Sequence, residues 1–334
     1  MLSLIKRRAR RSKTALIAYK IFDNWRGKRR QRRGDIGDAS GATHLGRPLE
    51  ESVARIRAQF DDYVTYGRLA PDWCPGRRVF ELGFGDNVGV ALLFLAAGAR
   101  SCVCLDRFYS TRDEAQQRRI YLELRSRLSG DDERRRFDEA VDLSAGVRTN
   151  PERLREMYGA GVEESGELLR GEPFDLVVSN AVLQVIYEPD ATFEALDRIL
   201  KPGGLMLHKI DLGDYRIFSG AGMNPLTFLT IGEPVYRLMA SDSDVPNRKS
   251  VDYYRGVMGR LGYEAEFLVT DVIGRDGRGD FSPYRGRLAA GEDYDDGTLA
   301  LVREVRPRLN PRYAGLPDED LIIGGIFLAA RKPE

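Results

Sequence analysis

The chain has 334 residues, 42% hydrophobic and 31% charged, a balance that fits one large α/β domain with additions and excludes a disordered or fibrous chain. Its 52 Lys/Arg against 51 Asp/Glu leave almost no net charge. The three cysteines, Cys74, Cys102 and Cys104, lack metal-ligand spacing, which argues against a zinc module or disulfide scaffold and suits a reducing, cytoplasmic setting.

No apolar run approaches the roughly 18 residues of a membrane span, and no signal-peptide pattern is present, so neither a transmembrane segment nor export is expected. The even charge hides an asymmetry. Residues 1–34 hold 13 Lys/Arg and one acid, Asp23, so the other 300 carry 39 basic and 50 acidic groups, a balance of −11. Within this head, Ala15 to Phe22 with Trp25 reads as a short amphipathic helix between basic clusters. Such a segment lies on an anionic membrane surface, neutralises nucleic-acid phosphates, or stays a solvated arm, and the sequence leaves the three open.

Residues 35–47, with glycines and His44, read as a linker, so 1–47 is an extension and 48–334 the main domain. From Pro48 to Leu69, Val53, Ile56, Phe60 and Val64 recur at helical spacing and predict a helix. Tyr63 and Tyr66 on it read first as packing residues, second as cofactor contacts.

The stretch Val79-Phe80-Glu81-Leu82-Gly83-Phe84-Gly85-Asp86-Asn87-Val88-Gly89 organises the rest. A short apolar run behind Pro75-Gly76 suits a buried parallel strand, and Gly83 and Gly85 allow a tight turn. Apolar helix formers from Val88 to Ala97, ended by Gly98, predict a helix starting at the turn. Strand, glycine turn and helix N-terminus form a nucleotide-cofactor cradle. A dinucleotide fingerprint needs a third glycine where Val88 stands. A carboxylate at Glu81 repels a pyrophosphate but pairs with a cationic amino group, which favours S-adenosylmethionine (SAM).

Ala99 to Leu105 reads as the second strand and ends in Asp106, 23 positions past Gly83, where an acid holds a ribose diol. Glu114 to Arg136 is charged and helical, a third strand falls near Leu154–Tyr158, and Gly159–Glu163 is a loop beside the adenine. Phe174 to Asn180 is an apolar strand. Phe193 to Leu200 is a helix, with Gly203 and Gly204 of Leu200-Lys201-Pro202-Gly203-Gly204 capping its end ahead of a fifth strand. That strand runs into His208-Lys209-Ile210-Asp211-Leu212-Gly213-Asp214. Strand six is expected over Gly262–Val269, a loop over Arg275–Tyr294, and a final strand over Leu321–Ala330.

The segment Glu81 to Asn87 resembles motif I of the class I SAM-dependent methyltransferases, E/D-x-G-x-G-x-G, with Asn87 replacing the last glycine; Asn tolerates a left-handed backbone. Phe174-Asp175-Leu176-Val177-Val178-Ser179-Asn180 resembles their motif IV, without the Glu-His pair that often follows. Leu200-Lys201-Pro202-Gly203-Gly204 resembles the segment before their fifth strand. The resemblance spans residues 79–207. It implies a Rossmann-like, doubly wound, mostly parallel seven-stranded sheet with an antiparallel last strand. It also implies a cofactor site of Glu81, Gly83, Phe84, Gly85, Asn87, Asp106 and Asn180.

His208-Lys209-Ile210-Asp211, with Asn224-Pro225 and Pro246-Asn247-Arg248 downstream, is similar to a bacterial polysaccharide-biosynthesis branch. That similarity implies a sugar hydroxyl as acceptor and a lid over 215–250, with Tyr236, Arg248 and Tyr253 as saccharide contacts. His208 is then the expected base, with Asp211 or Asp214 orienting it or holding a divalent metal. A natural-product methyltransferase, an RNA methyltransferase and a SAM-binding protein without turnover remain alternatives.

Overall fold

A computed structural model describes residues 12–38, 41–166, 169, 171, 173–274 and 284–334. Seven strands form the main sheet: β1 Arg78–Leu82, β2 Ser101–Asp106, β3 Leu154–Tyr158, β4 Phe174–Asn180, β5 Leu200–Asp211, β6 Glu264–Val272 and β7 Ile323–Arg331. Their order is β3-β2-β1-β4-β5-β7-β6. β7 runs antiparallel to both β5 and β6, while the other pairs are parallel. Strand order therefore reverses between β1 and β4, and a crevice opens beyond the carboxyl ends of those strands.

Helices of five or fewer residues aside, nine described helices matter here: α1 Lys13–Gln31, α2 Leu49–Tyr66, α3 Gly89–Ala96, α4 Glu114–Ser126, α5 Asp131–Ala140, α6 Pro189–Ile199, α7 Glu233–Ala240, α8 Val251–Leu261 and α9 Asp296–Val305. Helices α2 to α5 cover one sheet face, and α6 to α9 the other, so β1 side chains alternate between two cores: Val79 into one, Phe80 and Leu82 into the other. Every residue of α3 is buried, because its sequence is apolar all round and offers no polar face to water.

One expectation is refined and two need correction. The helical stretch expected over Glu114–Arg136 divides into two helices, Glu114–Ser126 and Asp131–Ala140. Ser129 and Gly130 donate backbone N–H groups to the Glu133 carboxylate at 3.0 and 3.1 Å, which starts a new helix after Gly130. The glycines after Lys201 do not cap α6, which ends with Leu200 already extended. Gly203, at φ +69°, instead kinks the start of β5, and its N–H bonds to the Pro333 carbonyl. Residues 35–47 are not a free tether. The Tyr109 N–H donates to the Ile36 carbonyl at 2.8 Å, and Gly41 onward lies across the glycine turn. The basic head up to residue 11, and 275–283 of the expected loop, lie outside the described residues.

The remaining head is a helix docked on the body. Leu16, Ile17 and Ile21 of α1 pack against the core. Asn24, buried, donates to the Leu238 carbonyl and Ser241 Oγ, both at 3.0 Å, and accepts from the Asp242 N–H at 2.7 Å.

Candidate functional site

Register sets the site. Leu82 pairs with Leu105 on β2 and with Ser179 on β4, so the carboxyl ends of three strands are level. The turn leaving β1 then needs glycine twice. Gly83 and Gly85 have φ of +72° and +62°. A Cβ on Gly83 would meet Val182 Cγ2 at 2.2 Å, and one on Gly85 the Gly41 carbonyl at 2.6 Å. Asp106 holds the turn from the neighbouring strand, accepting from the Gly85 and Phe108 N–H groups, both at 3.0 Å.

Asn87 takes a different part from the one expected. Its backbone is not left-handed. Its Oδ1 accepts from the Gly89 N–H at 2.7 Å, taking up the first backbone donor of α3. Its Nδ2 is buried without a partner.

The turn opens on a cavity of about 650 Å³. Glu81, Gly83, Phe84, Gly85, Asn87 and Asp106 form one wall. Glu81 is fully buried, and its hydrogen-bond donor is the Cys104 thiol at 3.7 Å. Desolvation, unrelieved by a cation, pushes its carboxyl up to about 8. A buried carboxylate and an orphaned amide donor on one cradle fit a ligand carrying both an ammonium and a carboxylate, as the amino-acid end of SAM does. Arg55 and Gln59, one turn apart on α2, line the same wall.

A strap closes that wall. Asp86 accepts from the His44 and Leu45 N–H groups at 2.9 and 3.0 Å. Gln116 on α4 accepts from Gly46 N–H at 3.0 Å and donates to the His44 and Arg47 carbonyls at 2.6 and 2.8 Å. His44 thereby reaches the cavity. Burial holds its imidazole below the usual range, with Arg55 and Arg47 pushing the same way against Asp86.

The opposite wall is polar. Asn180, at the end of β4, donates to Gln59 Oε1 at 3.1 Å and lines the cavity with Tyr187, Tyr215, Asp242, Ser243 and Asp244. Ala181 and Tyr215, both on this wall, hold left-handed backbones at φ +57° and +51°. Such strain in residues with a Cβ clusters at ligand sites. Two parts of the expected lid segment, Tyr215 and 242–244, therefore line the same cavity as the glycine cradle, with Asp23, Arg26, Gly27, Arg30 and Gln31 of α1 completing the rim.

His208 is not in this arrangement. The two faces of β5 alternate, and His208 points into the core beneath α6, its Nδ1 2.7 Å from Ser179 Oγ and its ring edge-on to Phe193. It is fully buried, its Nε2 has no partner, and burial pushes it down to about 3. It does not line the cavity, so the base expected there is out of an acceptor's reach.

Asp214 accepts from the Arg216, Phe218 and Ser219 N–H groups and from Ser219 Oγ at 2.7 to 2.9 Å, and so builds a turn. Asp211 accepts from the Gly213 N–H at 2.7 Å, outside the cavity. Among the described residues no three His, Cys, Asp or Glu side chains gather to hold a metal ion.

The expected saccharide contacts are structural. Buried Arg248 donates to the Phe228 and Ile231 carbonyls at 3.0 and 2.7 Å and pairs with Glu233. Tyr236 donates to the Pro246 carbonyl and Tyr253 to Asp190. Sequence reasoning missed His44, Arg55, Gln59 and Tyr187. Only the four-residue spacing of Arg55 and Gln59, beside Ile56 on one helix face, was there to be seen.

Residues 80–208 match the model of the family described as "Methyltransferase domain". No curated protein matches the chain. Solved structures resembling it include phosphoethanolamine N-methyltransferase 2 of Haemonchus contortus in complex with SAM, at 17% identity over 82% of this chain and 52% of that one, TM-score 0.40. An S-adenosylmethionine-dependent methyltransferase from Mesorhizobium loti matches at 14% identity over 80% and 100%, TM-score 0.37. A cyclopropane-fatty-acyl-phospholipid synthase-like protein from Lactobacillus casei matches at 11% over 84% and 91%, TM-score 0.42. These likenesses say nothing about the acceptor.

The matched segment contains the whole glycine cradle, and the sheet order places that cradle at the reversal point of a Rossmann-like fold. Residues 80–208 are a methyltransferase domain on a Rossmann-like fold, and the cofactor that fits its cradle is SAM.

Proposed function

We propose that the enzyme O-methylates a hydroxyl of a polar acceptor, a saccharide. The observation that carries this reading is that the cradle wall of Glu81 and Asp106 and the polar wall of Asn180, Tyr187, Tyr215 and Ser243 belong to one cavity. Bound SAM supplies an electrophilic methyl: a C–O bond forms, the C–S bond breaks with its electron pair left on sulfur, and the acceptor gives up a proton.

Glu81 would pair with the cofactor's ammonium, and Asp106 with its ribose hydroxyls. Asn87 Nδ2 and Arg55 would receive its carboxylate. Hydrogen-bonding side chains on the polar wall hold a hydroxyl-rich acceptor in line, which is the main source of rate for such a transfer. His44, kept uncharged by burial, takes the acceptor proton at Nε2, because Nδ1 is buried.

The test is product identification after labelled SAM is incubated with glycan extracts, alongside small phenols and RNA. Label in a sugar methyl ether supports the reading; label only in the others overturns it. Glu81 gives an independent check on the cofactor. Its carboxyl must lose a proton to pair with an ammonium, so SAM affinity measured by calorimetry should rise with pH between 6 and 7.5, at a limit of about tenfold per unit. Glu81→Gln should bind more weakly and flatten that dependence. A variant that binds with the wild-type profile would sink the pairing.

A further inference from the structure

Helix α1 has two finished sides and one that nothing in the fold explains. Its inner face is satisfied: Leu16, Ile17 and Ile21 pack, Asn24 is bonded, and Lys20 and Lys28 pair with Asp244 and Asp242 at 3.5 and 3.1 Å. A second side lines the cavity rim through Asp23, Arg26 and Arg30. The outer face exposes Tyr19, Phe22 and Trp25, at 59%, 54% and 51% of full accessibility. Their three-residue spacing makes them a stripe. Helix α7, against which α1 packs, adds Leu238 at 57% exposure. An aromatic stripe left in water is costly unless something covers it.

Charge says what covers it. Residues 12–34 contain eight Lys/Arg and one acid. The lysines turn inward, whereas Arg26, Arg29, Arg32 and Arg33 have no carboxylate partner among the described residues. Two of these arginines interleave with the aromatics: Arg26 lies 5.9 Å from the Phe22 centroid, and Arg29 lies 5.1 Å from that of Trp25. Amphipathic rings flanked by guanidinium groups match the boundary between acyl chains and anionic headgroups. Among the described residues no helix is long and apolar enough to cross a membrane, so such contact would be peripheral.

We propose that the outer face of α1, with the adjoining part of α7, seats the enzyme on an anionic lipid bilayer, holding the cavity mouth at headgroup level. The acceptor is then a polar group carried on a lipid headgroup, entering past Arg26 and Arg30. The seating stands on the surface alone; the lipid-borne acceptor rests on the methyltransferase reading above.

The experiment is co-sedimentation of the full chain with phosphatidylcholine vesicles, with and without phosphatidylglycerol. The wild-type protein should sediment with the anionic vesicles at least about tenfold better than with the neutral ones, and salt should weaken it. The double variant Phe22→Ser, Trp25→Ser should lose that binding while its calorimetric affinity for SAM stays at the wild-type value. Unchanged sedimentation of the double variant overturns the proposal. So does indifference of the wild type to phosphatidylglycerol, or a dimer in solution that the double variant abolishes. Loss of SAM binding by wild-type protein would instead strike the cofactor reading and leave the seating standing.

Discussion

At the scale of single residues, Glu81 and His208 are two buried titratable groups with opposite consequences for stability. His208 is held down to about 3. Its neutral form contributes stability that is complete above the unfolded value near 6.5 and is lost as pH falls, about 1.4 kcal/mol per unit. Glu81 is held up to about 8. Its protonated form contributes stability that is complete below the unfolded value near 4.5 and is lost as pH rises to about 8. Between pH 7 and 5 the two act in opposite directions in the SAM-free protein, with His44, also held below the usual range, adding to the side of His208. Glu81→Gln removes the opposing group, so on going from pH 7 to 5 its stability by urea denaturation should fall by about 2 kcal/mol more than that of the wild type. Equal changes in variant and wild type would mean that Glu81 is not held protonated. This pair also shows what a sequence displays at a site. Gly83, Gly85 and the acids beside them are dictated by backbone geometry a few residues away, and they were legible. Whether His208 points into the core or away from it depends on strand parity in a sheet buried on both faces, and no local pattern encodes it.

At the scale of elements, the positions of the core strands follow from short apolar runs closed by turn residues, and β3, β4 and α2 fall where the pattern places them, while the make-up of the sheet came from the resemblance of the motifs. The strap over 41–47 was hidden because its partners are distant: the Asp86 carboxylate and the Gln116 amide. Glycine-containing, it looked like a tether. Its attachment is testable. Asp86→Ala strands the buried His44 N–H and the neighbouring Leu45 N–H, a local cost of about 2 kcal/mol. Hydrogen exchange of the 41–47 amides should accelerate by about tenfold or more, with the β1 and β4 amides unchanged. Equal exchange in variant and wild type would show that Gln116 alone holds the strap. His44 rides on this element, so His44→Gln should lower kcat about a hundredfold or more while SAM affinity is retained. Wild-type turnover in that variant would remove it as proton acceptor.

At the scale of the whole molecule, the cavity is assembled from three pieces that meet only in the folded chain: the cradle between β1 and β4, the strap, and the head helix locked to residues 238–244. A 19-residue basic helix is marginal alone in water, and this one is held by the buried amide of Asn24. Asn24→Ala removes three hydrogen bonds and leaves the Asp242 N–H and Leu238 carbonyl without their partner, a loss of about 2–4 kcal/mol of docking. Asp23, Arg26 and Arg30 would leave the rim, and Asp242 to Asp244 would lose their support. Glu81, Gly83 and Asp106 depend on strand register, not on α1, so the cofactor end should remain intact. The variant should therefore keep SAM affinity within about twofold of wild type, as expected for separated sites, while the KM for a saccharide acceptor rises about tenfold or more. If SAM affinity falls in step with KM, the head supports the cradle as well, and the division of this cavity into a cofactor wall and an acceptor wall is wrong.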